Sequence, residues 1–236
     1  MLDQANLPET TAAQLQALID MLRESLDGSL LGILLHGSAT TSGFDVERSD
    51  LDVLTIIDDQ LTPQQCEAIG KGLLMVSNAP HPIEISVVAQ QDLDDWSHPC
   101  KHQLHYGEDL RYQFTRNCFM PEMEEDEDLA MHVTLARARG IDLLGGYPVE
   151  RLPLVPRQDY LSAIVRDFHW AAKQDEDLGQ YALANACRTL AYLRSDSLLS
   201  KSEGLEWCQA NAIDTSNIVE DVTAQVRSEL SQYRAS

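Results

Sequence analysis

Three short apolar runs near the start of this chain constrain its fold most. Leu30–Leu35, Leu51–Ile57 and Pro82–Ala89 are rich in Leu, Ile and Val and are bounded by turn-forming residues. They are too short for ordinary helices, so they read as buried strands. Helical patterns flank them. Thr10–Leu26 repeats apolar residues at Leu15, Leu18, Ile19, Leu22 and Leu26, and Asp27-Gly28 stops it. Thr62–Ser77 reads as a second helix, with Thr62 as its cap and Pro63 in its first turn. Further on, Asp92–Trp96 suggests a short helical turn and Gln103–Tyr106 an edge strand. Glu125–Leu144 then reads as one helix, ended by Gly145-Gly146.

The stretch Tyr147–Pro156 holds three prolines and reads as a connection between domains. Beyond it only helical patterns remain: Gln158–Gln174, Tyr181–Arg194, Ser202–Asn211 and Asn217–Tyr233. The expected fold class is therefore α+β, a mixed sheet with helices over residues 1–152 followed by an all-α bundle over 153–236. The chain has 236 residues, 44% of them hydrophobic, which is enough for a core in each part. No internal repeat is evident.

Composition narrows the partners. The formal net charge is −21, which argues against nucleic acid, whose phosphates need Lys and Arg, and suits a cationic small molecule. No apolar run is long enough for a membrane span. The start, Met1-Leu2-Asp3-Gln4, lacks the basic-then-apolar layout of a signal peptide. A cytoplasmic location is expected, and the oligomeric state is left open, a monomer included. Five scattered cysteines without a Cys-x-x-Cys pair read as free, mostly buried thiols.

The chemistry is carried by His36-Gly37-Ser38 after the first strand and Asp50-Leu51-Asp52 at the start of the second. Strand alternation puts Asp50 and Asp52 on one face. Two adjacent carboxylates repel unless a cation joins them, and an all-oxygen pair suits magnesium. Gly37 lets the backbone come close to a phosphate, and the Ser38 hydroxyl and neighbouring amides can cradle its oxygens. Glu84, between Ile83 and Ile85, is a carboxylate inside an apolar strand. If that strand lies beside the one bearing Asp52, Glu84 is a third ligand or a general base. Alternation equally allows it to point outward, with Ile83 and Ile85 pointing in.

These segments resemble the aminoglycoside (3″)(9)-adenylyltransferases of the DNA-polymerase-β-like nucleotidyltransferase superfamily. The likeness runs through Leu35-His36-Gly37-Ser38-Ala39, Ser49-Asp50-Leu51-Asp52-Val53-Leu54, Glu84-Ile85-Ser86-Val87-Val88, Gln103–Glu108 and Val155-Pro156-Arg157-Gln158-Asp159. Arg188, Lys201 and Trp207 follow at the family's spacing. The resemblance implies AMP transfer from ATP to a hydroxyl of spectinomycin or streptomycin, giving antibiotic resistance. It implies that Asp50, Asp52 and Glu84 hold magnesium, two ions in all, with Glu84 as base. Gly37, Ser38, Ser49 and Lys201 would contact ATP in a cleft between the two parts. Glu84, Asp109, Asp175 and Asp177 would face the acceptor. Asp109 stands where the streptomycin-modifying enzymes carry a tryptophan, which favours spectinomycin.

Simpler readings stand beside these. Lys201 is also an ordinary solvated lysine at a helix start, and Asp175-Glu176-Asp177 also a solvated loop between helices. Other acceptors, a different small molecule or a protein, are compatible with the same chemistry. A nucleotide-binding regulator without activity is the third alternative, although the carboxylate trio it should have lost is intact. His36 reads as a structural hydrogen-bonding residue. His98, His102 and His105 lack a zinc-site spacing. Trp170, Tyr192 and Trp207 read as core aromatics of the bundle.

Overall fold

The computed structural model describes residues 7–41, 43–119, 125–174 and 179–233. The chain divides into two compact units, Met1–Asp159 and Tyr160–Ser236.

The first unit follows the order α1 (Glu9–Leu26), β1 (Leu30–His36), β2 (Leu51–Ile57), α2 (Pro63–Val76), β3 (Ile83–Ala89) and α3 (Gln90–Asp94). It continues with β4 (Cys100–Lys101), β5 (Leu104–Tyr106), α4 (Arg111–Thr115), β6 (Glu125–Asp126), α5 (Leu129–Arg139) and β7 (Ile141–Asp142). Five strands form one mixed sheet in the order β5-β3-β2-β1-β7. β1 and β2 are antiparallel, while β2 and β3 run parallel, joined by the α2 crossover. β4 and β6 make a separate two-stranded ladder.

Pleating sorts the central strands into two faces. Ile33 and Leu35 of β1, Val53 and Ile57 of β2, and Ile83, Ile85 and Val87 of β3 share one core with α1 and α2. There α1 contributes Leu15, Leu18, Ile19, Leu22 and Leu26, the stripe its periodicity anticipates. α2 is capped as its sequence indicates: Thr62 accepts from the Gln65 amide, the Gln65 side chain returns to the Thr62 amide, and Pro63 opens the helix. The alternate residues Leu34, Leu54, Ile56 and Val88 form a second core with Leu129, Val133 and Ala136 of α5. The even-numbered side chains of β2 and β3 therefore face the α5 layer.

The predicted helix over 125–144 is shorter than expected. Gly140 takes an extended backbone, and a Cβ there would lie 2.3 Å from the Ala136 carbonyl oxygen. Ile141 and Asp142 instead pair with the free edge of β1. Asp142 then accepts hydrogen bonds from the amides of Leu144 and Tyr147, which fixes a turn where helix had been expected. Tertiary edge pairing has overridden a helical pattern. The short helical turn expected at Asp92–Trp96 begins earlier, directly after β3, and α4 was not anticipated. β5 is the expected edge strand.

The second unit contains four helices among the described residues: α6 (Arg157–Gln174, beginning within the first unit), α7 (Gln180–Ser195), α8 (Lys201–Ala210) and α9 (Ile218–Tyr233). α7 packs against both α8 and α9. Gly204 lets α8 approach closely, since a Cβ there would lie 2.7 Å from the Arg188 amide nitrogen. Tyr192 is buried against the Tyr160 ring, as a core aromatic should be. Trp170 is not a core residue, because it is 55% exposed. The buried stripe of α6 runs through Tyr160, Ile164, Phe168 and Ala171, and Trp170 falls off it. Trp207 is half-buried. Four of the five free cysteines are buried and Cys118 is exposed. No described helix is long and apolar enough to cross a membrane.

Candidate active site

Register brings the predicted carboxylates together. In the parallel pair, Asp52 of β2 lies opposite Glu84 of β3. In the antiparallel pair, His36 of β1 lies opposite Asp52. Glu84 points away from the core that holds Ile83 and Ile85, onto the face it shares with Asp52. Both sequence readings thus hold in part: Glu84 leaves that core, and in doing so joins the Asp pair. Asp50, Asp52 and Glu84, all half-buried, each offer a carboxylate oxygen, and these oxygens lie within 4.8 Å of one another. It is the one cluster of this kind among the described residues.

The turn after β1 is shaped around this cluster. Gly37 has a φ of +64°, in the left-handed region. A Cβ on Gly37 would lie 1.8 Å from Asp52 Oδ2 and 2.6 Å from Asp52 Cγ. Only glycine lets the backbone pass this close to the carboxylate. A 3₁₀ turn follows over Gly37–Thr40, held by Thr40 and Thr41 hydroxyls that donate to the Gly37 and Ser38 carbonyls. Ser38 Oγ is buried in this turn without a hydrogen-bond partner among the described residues. A buried hydroxyl in that state is a donor awaiting an acceptor.

Ser49 closes the loop ahead of β2. Its hydroxyl accepts from the Asp45 amide at 2.9 Å, and its own amide donates to the Asp45 carbonyl at 2.8 Å. The hydroxyl hydrogen is not used by that bond.

Sequence reasoning missed His132. It sits in the first turns of α5, nearly buried, with Nε2 3.5 Å from Glu84 Oε1. Its ring packs edge-on against His36, centroids 5.2 Å apart. Burial alone would push its imidazole pKa down, but Glu84, Asp52, Asp126 and Asp128 together raise it above the ordinary value. His36 goes the other way: burial, reinforced by His132, holds it well below the usual histidine range. The His36 Nδ1 has no hydrogen-bond partner among the described residues, and the ring packs in its neutral form beside His132. No local pattern marks His132; the contact is made by packing α5 on the sheet.

The remaining predicted residues belong to other elements. Asp109 is exposed in the turn between β5 and α4. Its neighbour Glu108 is fixed by the Ser77 hydroxyl at 2.5 Å, the Tyr106 hydroxyl at 2.8 Å and Arg111 at 3.2 Å. In the second unit, Lys201 is the first residue of α8, behind a Ser200–Glu203 capping box. Its ammonium lies 4.1 Å from the centre of the Tyr181 ring. Arg188 is ion-paired with Asp167. Asp175 and Asp177 lie outside the described residues.

Comparison with known proteins sets this geometry in context. Residues 150–228 match the family model described as aminoglycoside adenylyltransferase, C-terminal domain. A spectinomycin 9-adenylyltransferase of Enterococcus faecalis is 27% identical over 199 residues, which is 81% of this chain and 77% of that protein. An aminoglycoside (3″)(9) adenylyltransferase of Klebsiella pneumoniae is 30% identical over 159 residues, 65% of this chain and 60% of that protein. The match thus spans less than two thirds of the Klebsiella protein's length. Among solved structures, the spectinomycin adenyltransferase of Enterococcus faecalis, crystallised with ATP and spectinomycin, superposes with a TM-score of 0.75. That likeness covers 92% of this chain and 89% of the other at 24% identity, and it speaks for the fold.

Proposed function

We infer that this chain, a relative of the aminoglycoside and spectinomycin adenylyltransferases, transfers AMP from ATP to a hydroxyl of an aminoglycoside-type antibiotic. The observation that carries this reading is the trio of Asp50, Asp52 and Glu84 at the ends of adjacent strands, beside a glycine turn whose buried Ser38 hydroxyl has no hydrogen-bond partner among the described residues. The donor set fits magnesium: three carboxylates whose oxygens lie within 4.8 Å would repel one another without a cation. Asp50, Asp52 and Glu84 would hold it, as two ions. When bound, Mg²⁺ supplies positive charge that offsets the triphosphate and the departing pyrophosphate.

The chain's own residues do the rest. Ser38 Oγ donates its hydrogen to a phosphate oxygen, and the glycine at position 37 lets the backbone approach the phosphates. Ser49 donates likewise, while its oxygen holds the Asp45 amide. Glu84 accepts the proton of the acceptor hydroxyl as that oxygen forms its bond to the α-phosphorus. The bond from the α-phosphorus to the bridging oxygen breaks, and pyrophosphate leaves. Lys201 offers a point charge to the phosphates. Most of the acceleration comes from placement and charge, as in phosphoryl transfer generally. Asp109, Asp175 and Asp177 are proposed to bind the ammonium groups of the acceptor, a role supported by the chain's net charge of −21. Spectinomycin is the favoured acceptor, because Asp109 replaces the tryptophan that streptomycin recognition would use.

The test is pyrophosphate release with ATP and Mg²⁺ in the presence of spectinomycin, of streptomycin, or of neither. Release that depends on either drug supports the reading. Equal release in the blank, or none with both drugs, removes it and leaves another acceptor to be sought.

A further inference from the structure

His132 takes no part in the roles assigned so far, although its ring nitrogen comes within 3.5 Å of Glu84. Glu84 has three rotatable bonds, and its side chain is 35% exposed, so its own strand does not fix where the carboxylate points. His132 is fixed. It is buried on α5, one residue before Val133, which packs with Leu129 and Ala136 onto Leu34, Leu54 and Ile56 of the sheet. Its ring is braced edge-on by His36, whose Cα is paired with that of Asp52. Nε2 thereby stands 3.5 Å from one carboxylate oxygen, Oε1, on the α5 side of Glu84.

We propose that His132 is a positioning residue for Glu84: it restrains Oε1 toward α5, so that the second oxygen stays turned to Asp50, Asp52 and the acceptor hydroxyl. It acts through Glu84 and touches neither substrate. The inference rests on the role proposed for Glu84 above. Outer partners of this sort orient ligating carboxylates, and losing one lowers activity or metal affinity about 10–100-fold.

The experiment compares His132→Leu, which fills the space with an apolar side chain, with His132→Gln, whose polar amide can reach toward Oε1. His132→Leu should lower kcat about 10–100-fold. ATP affinity measured by calorimetry without acceptor and without Mg²⁺ should stay within about twofold, because Ser38, Ser49 and Lys201 are untouched. His132→Gln should recover most of kcat. In a Glu84→Gln background, His132→Leu should lower the residual kcat no further, since both changes act on one carboxylate. Unchanged kcat in His132→Leu, equal loss in the Leu and Gln variants, or losses that multiply with Glu84→Gln would each overturn the proposal. Should the Leu variant fail to fold by circular dichroism, His132→Met takes its place with the same expected losses. A ligand-free readout separates this inference from the proposed reaction. Thermal midpoint shifts of His132→Leu and Glu84→Gln should not add in the double variant, and additive shifts would deny the contact. Non-additive shifts among these variants, together with a wild-type protein that transfers no AMP, would instead strike the proposed function alone.

Discussion

Replacing Gly37 with alanine tests how tightly the turn is built around Asp52. Two penalties combine. An alanine at φ +64° carries left-handed strain of about 1–2 kcal/mol. Its Cβ would also meet Asp52 at 1.8 Å from Oδ2 and 2.6 Å from Cγ, distances no real pair adopts. Asp52 must rotate out of the cluster, an overpacking penalty of about 1–3 kcal/mol. The sum is roughly 2–5 kcal/mol, or a melting-temperature drop of roughly 4–20 °C at about 2–4 °C per kcal/mol for a chain of this size. The discriminating assay is a double-mutant cycle followed by thermal unfolding. With Asp52 cut back to alanine, Gly37→Ala meets only the Cβ at 3.0 Å, so mainly the backbone strain remains. Its effect in the Asp52→Ala background should fall to about 1–2 kcal/mol. An equal loss in both backgrounds would refute the steric half of the reasoning, and no loss in either would refute all of it.

Other outcomes follow from the same structure. Asp50→Asn or Asp52→Asn should leave the circular dichroism spectrum unchanged while lowering AMP transfer at least about 100-fold, since charge stabilisation at such a site contributes several kcal/mol; retained turnover would contradict the proposed trio. Burial pushes the Glu108 carboxyl up, but hydrogen bonds from Ser77 and Tyr106, with Arg111 nearby, outweigh it and hold its pKa below the ordinary value. The stability it contributes is therefore present above the unfolded carboxylate pKa of about 4.3 and is lost as pH falls through the lower folded value. Glu108→Gln should lower the melting temperature at neutral pH and narrow the gap to wild type in acid; a constant gap would contradict this. Thiol titration of the native protein near pH 8 should modify Cys118 quickly and the other four slowly, because those four are buried and burial pushes the Cys100 and Cys187 thiols up to about 12.

The central strands were legible because their apolar runs bury two faces, which left little freedom in their assignment. The Asp50–Asp52 alternation and the Gly37-Ser38 turn were legible for the same reason: both sit at strand ends that the pattern fixes. Glu84 was legible as a residue but not as a direction, because only the parallel pairing of Asp52 with Glu84 selects its face. β7 escaped because two residues carry no periodicity, and the edge of β1 that captures them is far away in sequence. Trp170 is exposed because it falls off the Tyr160–Ile164–Phe168 stripe of α6, and aromatic character alone does not reveal which helix face a residue occupies. His132 escaped because nothing near it in sequence distinguishes it from any other helix residue. Its significance lies in the charge it meets across the fold.

The most direct test of AMP transfer is the mass of the drug after incubation with the wild-type protein, ATP and Mg²⁺. Spectinomycin recovered with one AMP joined through a phosphodiester, together with one equivalent of pyrophosphate, is the predicted result. Drug recovered unmodified, or carrying a bare phosphate with ADP as the by-product, would contradict it.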